Sequence, residues 1–299
     1  VIFTPYIHAI SEELKTPIVL MSKKSSKADQ LFAYDKHISK ILTLDKSNEG
    51  IWGFLKLVRQ IKKEKFDKVF IFNGSLRYRM AMIFAGISSI NQYPLFKSKD
   101  IIYETAKLFT ENNLGKKINS QPKLILEKKD SKFINQKYNL DQNEKKIILG
   151  VSASGPTKRW DVKNFIKLIN SLSKNRKCKF FLAGGIHDKN LIDEIFASNS
   201  KNNCFSLTDL DIKETLPIIN ISDLYIGNDT SFMHISSALG IKSIGIFTDS
   251  PAYSYSSYSS LIIPVVPEGE TLYSTTHNTH GKDKISFDRV LKIAESELI

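Results

Sequence analysis

The chain has 299 residues, enough for two domains of roughly 150 each, and a soluble globular composition, 41% hydrophobic and 25% charged. No apolar run approaches the ~18 residues of a membrane span, and no secretory signal with a basic start and an apolar core is read, so no spanning helix is expected in these residues. The net charge of +12 is confined to one half: residues 1–150 hold 27 of the 43 Lys+Arg and 15 of the 31 Asp+Glu, so the second half is neutral.

In the first half, Tyr6 to Leu14 reads as a helix, Ile18 to Met21 as a strand and Ile41 to Leu44 as another. From Trp52 to Ile61 the apolar residues fall at 52, 54, 55, 58 and 61, a helix with one buried face. Asp67 to Phe72 is the clearest strand here. It runs through Asn73-Gly74-Ser75 into a helix carrying Met80 and Ile83, and such alternation argues for a parallel sheet. Arg77 and Arg79 follow that strand's carboxyl end, where a guanidinium fork could grip a phosphate or carboxylate; the alternative is two solvated surface arginines. Glu127 to Lys146 is polar, nearly without periodicity, and reads as the connection between domains, with room for a helical fragment.

In the second half Ile147 to Val151 is a strand. The loop Ser152-Ala153-Ser154-Gly155-Pro156-Thr157 follows, then Lys158-Arg159-Trp160 and a helix capped by Asp161. Small residues with a lysine let backbone N–H groups and an ammonium approach a phosphate together, although the Walker pattern is absent. Lys179 to Ala183 is the next strand and ends in Gly184-Gly185, with His187 and Asp188 opening a helix. Cys178 and Cys204 are too far apart to form a metal motif, and a reducing cytoplasm is expected.

A short strand (203–207) and a helix (211–221) lead to Asp223–Phe247, DLYIGNDTSFMHISSALGIKSIGIF, read as strand, loop, helix, strand. Asn228, Asp229 and Thr230 carry helix N-cap chemistry and Gly240 stops the helix. Asp229, Thr230 and His234 therefore sit near a helix start just past a strand's carboxyl end, where anionic ligands bind in open α/β sheets. Three such loops, 152–160, 183–188 and 227–234, meeting at one sheet edge would suit a nucleotide diphosphate. Pro251 to Ser260 reads as a Tyr/Ser-rich loop that could face a sugar or adenine or simply lie on the surface. His277 and His280 have no third ligand nearby, so no metal is expected. Ile285 to Ile299 closes the chain as a helix.

The quoted loops resemble those of family 9 glycosyltransferases, the lipopolysaccharide heptosyltransferases. The resemblance rests on Lys158-Arg159-Trp160, on Leu182-Ala183-Gly184-Gly185, and above all on Gly227 to His234 continuing into Ala238-Leu239-Gly240. Lys284-Ile285-Ser286 also fits, and Val69 to Arg77 fits more loosely. It implies a GT-B architecture, two Rossmann-like α/β/α domains facing across a cleft. Residues 1–143 would form the acceptor-side domain, 144–284 the nucleotide-sugar domain, and 285–299 a closing helix packed back toward the first domain.

The implied activity is inverting transfer of a heptose or similar sugar from an ADP-sugar to an anionic lipopolysaccharide inner-core acceptor. The implied location is cytoplasmic, peripheral on the inner membrane, with no cofactor and no nucleic-acid partner. By position, Lys158 would contact the diphosphate and act with Asp229 as the catalytic pair. Ser154, Gly184, Gly185, His187, Asp229, Thr230, Ser231 and His234 would line the donor site, and Arg77 and Arg79 the acceptor site.

Three positions depart from the pattern. Ser231 stands where the family has Gly, and His187 where relatives carry an acidic ribose contact. Val1 to Pro5 matches residues just after the family's first strand and Gly-Asp turn, so that strand and the general base are expected to be missing; Asp35, Asp45 and Asp67 are not selected by spacing. A GT-B enzyme with another nucleotide sugar, or a non-catalytic nucleotide-sugar binder, remains open on these grounds. A nicotinamide dehydrogenase is disfavoured because no strand leads into G-x-G-x-x-G.

Overall fold

The computed structural model describes residues 1–94, 101–127, 130–198 and 203–299, with residues 130–132 described by their backbone alone. Part of the polar stretch read as a connection, residues 128–129, lies outside them. The chain divides into two compact units, Phe3–Ser120 and Gln121–Ile299 with Val1–Ile2.

The Phe3–Ser120 unit contains, in order, α1 (Thr4–Leu14), β1 (Ile18–Lys23), α2 (Ala28–Leu31), β2 (Ile38–Leu44), α3 (Gly50–Glu64), β3 (Lys68–Ile71), α4 (Leu76–Phe84), β4 (Ser89–Gln92) and α5 (Ile102–Leu114). Among the described residues its strands form two parallel ladders, β1–β2 and β3–β4. Leu57 and Ile61 of α3 pack with Ile71, Ala81, Met82 and Ile87 in one core, while Tyr6, Ala9, Ala106 and Ile118 form another. Asp35 ties α1 to the turn before β2. Its buried carboxylate meets His8 Nε2 at 2.7 Å and accepts from the His37 backbone N–H at 3.0 Å.

The Gln121–Ile299 unit contains α6 (Asp130–Lys137), β5 (Lys145–Gly150), α7 (Val162–Asn175), β6 (Cys178–Ala183), α8 (Lys189–Ala197), β7 (Cys204–Ser206), α9 (Ile212–Asn220), β8 (Leu224–Asn228), α10 (Ser231–Ala238), β9 (Ser243–Ile246), α11 (Ala252–Ser256), β10 (Ile262–Val265) and α12 (Phe287–Glu297). Its six parallel strands run in the order β10-β9-β8-β5-β6-β7. Counted within the unit, that is the 3-2-1-4-5-6 order of the doubly wound fold. Strands buried on both faces read as continuous apolar runs, as Ile147, Ile148 and Leu149 do.

The boundary falls earlier than residue 143. The stretch before β5 is not a free connection: Ile134 is buried, and Tyr138 stands edge-on against Phe181 and Phe205, so α6 belongs to the second unit's core. The closing helix has its apolar partners in the second unit. Val290, Ala294 and Leu298 of α12 lie in the same apolar cluster as Phe165 of α7 and Ile244 of β9. Its apolar stripe is thus satisfied within its own unit. The Tyr/Ser-rich stretch after Pro251 contains the short α11 rather than only loop, with Ala252 and Ser256 turned inward.

Where β5 meets β8, Gly150 pairs with Gly227. A Cβ on Gly227 would lie 2.5 Å from the Gly150 backbone, and one on Gly150 would lie 1.9 Å from the Tyr225 hydroxyl. Both glycines are required by close approach. We expect Gly227→Ala to lower stability by about 1–3 kcal/mol or more in chemical denaturation. Gly155→Ala, whose new methyl would meet nothing within 4 Å, should leave it nearly unchanged.

Candidate functional site

The chain leaves β5 toward β6 and leaves β8 toward β9, on the other side. The strand order therefore reverses between β5 and β8, and their carboxyl ends open a crevice of the kind in which α/β sheets bind ligands. Asn228, the last residue of β8, is fully buried there. Its Nδ2 donates to the carbonyls of Val151 and Ser152, each at 3.2 Å, and its Oδ1 accepts from the Trp160 backbone N–H at 2.8 Å. One side chain thus fixes both ends of the loop after β5. Trp160 anchors the far end, buried edge-on to Phe165 and stacked on Phe287.

Further contacts join the neighbouring loops. Arg159 Nη2 lies 3.5 Å from Asp188 Oδ1, while Asp188 Oδ2 accepts from the Gly185 N–H at 3.0 Å. A Cβ on Gly184 would sit 3.6 Å from Ser152 Cβ, so the loops after β5 and β6 touch. From the end of β9, Thr248 Oγ1 donates to the Thr157 carbonyl at 2.8 Å.

The structure brings Ser154, Lys158, Gly184, Gly185, Asp229, Thr230, Ser231 and His234 to this one end of the sheet. Lys158 is half-buried at the end of the turn Pro156–Lys158, close enough to act electrostatically on Asp229 and Asp249. Ser154 is exposed on the same loop, Gly184 is buried beneath it, and His187 projects outward on the exposed turn Ile186–Asp188. Thr230 occupies the N-cap position of α10 but makes no capping bond; its hydroxyl lies 3.3 Å from that of Tyr225. No side-chain oxygen caps α10, and within its first turn the Met233 N–H donates to the Thr230 carbonyl at 3.1 Å.

Burial raises the pKa of Asp229, against the opposing pull of the Ser250 hydroxyl and Lys158. Burial lowers that of His234 to about 4, so at neutral pH it is an uncharged imidazole. Its Nδ1 lies 2.5 Å from the Tyr258 hydroxyl and its Nε2 3.6 Å from Asp229 Oδ1. Burial also opposes ionisation of Asp249, but the His280 N–H and Thr157 hydroxyl outweigh it and hold the carboxyl below its usual range.

Asp249, Ser250 and Tyr258 join the candidate site without having been singled out in the sequence, and Asn228, read there as a helix cap, is a bridge between loops. Asp249 and Ser250 directly follow β9, so the strand-end rule that found the other loops would have found them. Tyr258 lay in the Tyr/Ser-rich stretch read as a loop facing a sugar or adenine, or as plain surface, without any one residue chosen. A separate hollow lined by Ser173, Arg176 and Asn203 lies at the amino ends of β5 and β6, away from the site.

Arg77 and Arg79 lie in the other unit. Arg77 is not a free cation: its Nη2 donates to the carbonyls of Asn48 and Gly50 at 2.7 and 2.8 Å, and its guanidinium covers the Phe54 ring. Arg79 is exposed. Among the described residues, His8, Asp35 and His37 form the one group with metal-ligand spacing, and the Asp35 carboxylate there is already engaged by both histidines. Asp45 caps the turn before α3.

The strand order and the crevice define a doubly wound α/β protein with an anion-suited switch point. The chain belongs to glycosyltransferase family 9 (heptosyltransferase), whose model matches residues 54–280. Lipooligosaccharide heptosyltransferase 2 of Campylobacter jejuni is 36% identical over 114 residues, which cover 36% of this chain and 35% of that protein. The chain thus aligns with about a third of the length of this curated relative.

The solved E. coli ADP-heptose lps heptosyltransferase II has a TM-score of 0.76 at 16% identity, covering 99% of this chain and 94% of its own. E. coli heptosyltransferase WaaC, solved with ADP, has a TM-score of 0.72 at 10% identity, covering 99% and 96%. The fold is therefore that of the GT-B heptosyltransferases.

Two outcomes are expected. Asn228→Ala removes three hydrogen bonds and should lower stability by roughly 2–4 kcal/mol in denaturant titration. The second concerns pH. The unfolded chain carries an ordinary imidazole near 6.5 and takes up a proton before the folded one does. The stability tied to neutral His234 is therefore present above pH 6.5 and is lost as pH falls toward 4. Comparing wild type with His234→Gln cancels the opposite contribution of Asp229. The wild type should lose on the order of 3 kcal/mol more across that window.

Proposed function

We propose that the chain binds a nucleoside-diphosphate sugar, an ADP-heptose or similar ADP-sugar, in the crevice at the ends of β5, β6 and β8. It transfers the sugar, with inversion, to a hydroxyl of an anionic lipopolysaccharide inner-core glycolipid. The observation that carries this reading is the convergence of Lys158, the start of α10, which no side chain caps, and the part-buried Asp229 on one switch point. Family membership and the ADP held by the E. coli relative support it.

In the reaction an acceptor hydroxyl oxygen forms a bond to the anomeric carbon as the bond to the diphosphate oxygen breaks, and the hydroxyl proton passes to a base or to water. Negative charge accumulates on the leaving diphosphate. The amide hydrogens of α10 and the Lys158 ammonium are fixed before reaction where that charge develops, so they stabilise the transition state more than the ground state. Ser154 and the Gly184-Gly185 backbone let the loops lie close to the phosphates. Thr230 and Ser231 line the first turn of α10. Asp229, kept rigid beside Ser250, and neutral His234, oriented by Tyr258, are suited to hydrogen-bond sugar hydroxyls. The glycolipid acceptor and the basic first half fit a peripheral position on the cytoplasmic face of the inner membrane.

A second reading, another nucleotide-sugar donor or a binder without turnover, is favoured by His187. An exposed imidazole stands where the resemblance implies an acidic ribose contact.

Lys158→Ala and Asp229→Ala should each reduce transfer at least ~100-fold while circular dichroism shows the fold retained. Near-normal turnover in either variant would remove the site. Thermal stabilisation by ADP-sugars, set against UDP- and GDP-sugars, reads the donor directly.

A further inference from the structure

The Phe3–Ser120 unit exposes an apolar surface that its own core does not need. On α3, Gly53, Leu57 and Ile61 face inward. Ile51 is 80% exposed, Trp52 83% and Leu55 40%, and at helical spacing all three share the opposite side. On α4, Ala81 and Met82 are buried, while Leu76, Met80, Ile83 and Phe84 stand exposed at i, i+4, i+7 and i+8. The two faces are joined. Phe84 meets Phe54 edge to face at 6.0 Å, and Arg77 bonds the first turn of α3 from α4.

The surroundings are basic. Further along α3, exposed Arg59, Lys62 and Lys63 continue the side that carries Ile51 and Trp52, and exposed Arg79 lies next to Met80. Between residues 40 and 85 there are ten Lys or Arg and four Asp or Glu. An apolar centre carrying a Trp and a Phe, flanked by cations on two short amphipathic helices, matches a helix pair lying in a membrane interface. The rings and aliphatic side chains enter the acyl boundary and the cations meet anionic headgroups. Among the described residues, no helix is long and apolar enough to cross a membrane, so contact by this route would be superficial.

We propose that the outer faces of α3 and α4 form the surface on which this protein docks to an anionic lipid bilayer, with Ile51, Trp52 and Phe84 inserted and Arg59, Lys62, Lys63 and Arg79 on the headgroups. This deepens the membrane location in the proposed function and rests on that reading only for which membrane is met. The charge complementarity selects a bilayer over a second copy of this chain, whose matching patch would carry the same positive rim.

The test uses the full chain with phosphatidylethanolamine–phosphatidylglycerol vesicles and with neutral phosphatidylcholine vesicles. Trp160 is fully buried, so any change in tryptophan emission reports Trp52. The expected result is co-sedimentation with the anionic vesicles, a blue shift of emission, and weakening by salt. The double variant Ile51→Ser, Trp52→Ser should bind about tenfold or more weakly, as should Lys62→Gln, Lys63→Gln. Both should keep the wild-type melting temperature and the wild-type stabilisation by ADP.

Equal binding to neutral vesicles, no binding to either, or a Trp52-dependent dimer without vesicle binding would overturn the proposal. The ADP shift, read on the same samples, separates failure of this surface from failure of the nucleotide reading.

Discussion

The Asn228 side chain is the contact on which the rest of the second unit's site depends. A six-stranded parallel sheet places the ends of β5 and β8 side by side, but strand pairing stops at Gly150 and Gly227. Past that point the backbone of the β5 loop has no ladder partner on β8, and only the Val151 N–H still reaches β6, at the Ala183 carbonyl. Two of its carbonyls and one of its N–H groups find theirs in a single buried amide. Burying those groups unpaired would cost more than their hydrogen bonds contribute, which makes the loop's path a single solution rather than one of several. The position of Lys158 follows from that path, because it lies between the two fixed ends.

Around this fixed frame the site sets few charges against one another. The part-buried carboxylate of Asp229 faces an uncharged imidazole at His234, and the nearby lysine acts on two acids, Asp229 and Asp249. A crevice with fixed dipoles and one ammonium is suited to a ligand that brings its own negative charge. It gives no such welcome to a cationic or apolar one.

Most of the second unit could be read from the chain because its strands are short apolar runs separated by helices with clear caps, such as Asp161 and the Asp211–Glu214 pair. β10 was not, since Pro264 interrupts its run at the sheet's edge. β4 and α5 carry too little alternation or amphipathic contrast to stand out. α6 did not stand out from the polar connection because it is polar along most of its length, and its anchors, Ile134 and the following Tyr138, are hidden by a window average.

Single side chains were harder to assign than elements. Asn228 read as a helix cap and is instead a bridge between loops. Arg77 read as an anion grip and instead holds the start of α3. In both cases the residue type named the chemistry correctly, an amide that bonds backbone and a cation that seeks oxygen. Only the fold decided which oxygens came within reach.

The glycine pair beneath the crevice has a consequence for how this protein can change. Neither position admits even a methyl group without displacing a neighbouring strand or the Tyr225 hydroxyl. The floor of the hollow is closed to variation, so any drift in what the hollow accepts must be written in its walls. There the turn bearing His187 and the segment from Asp249 to Tyr258 stand free of that constraint.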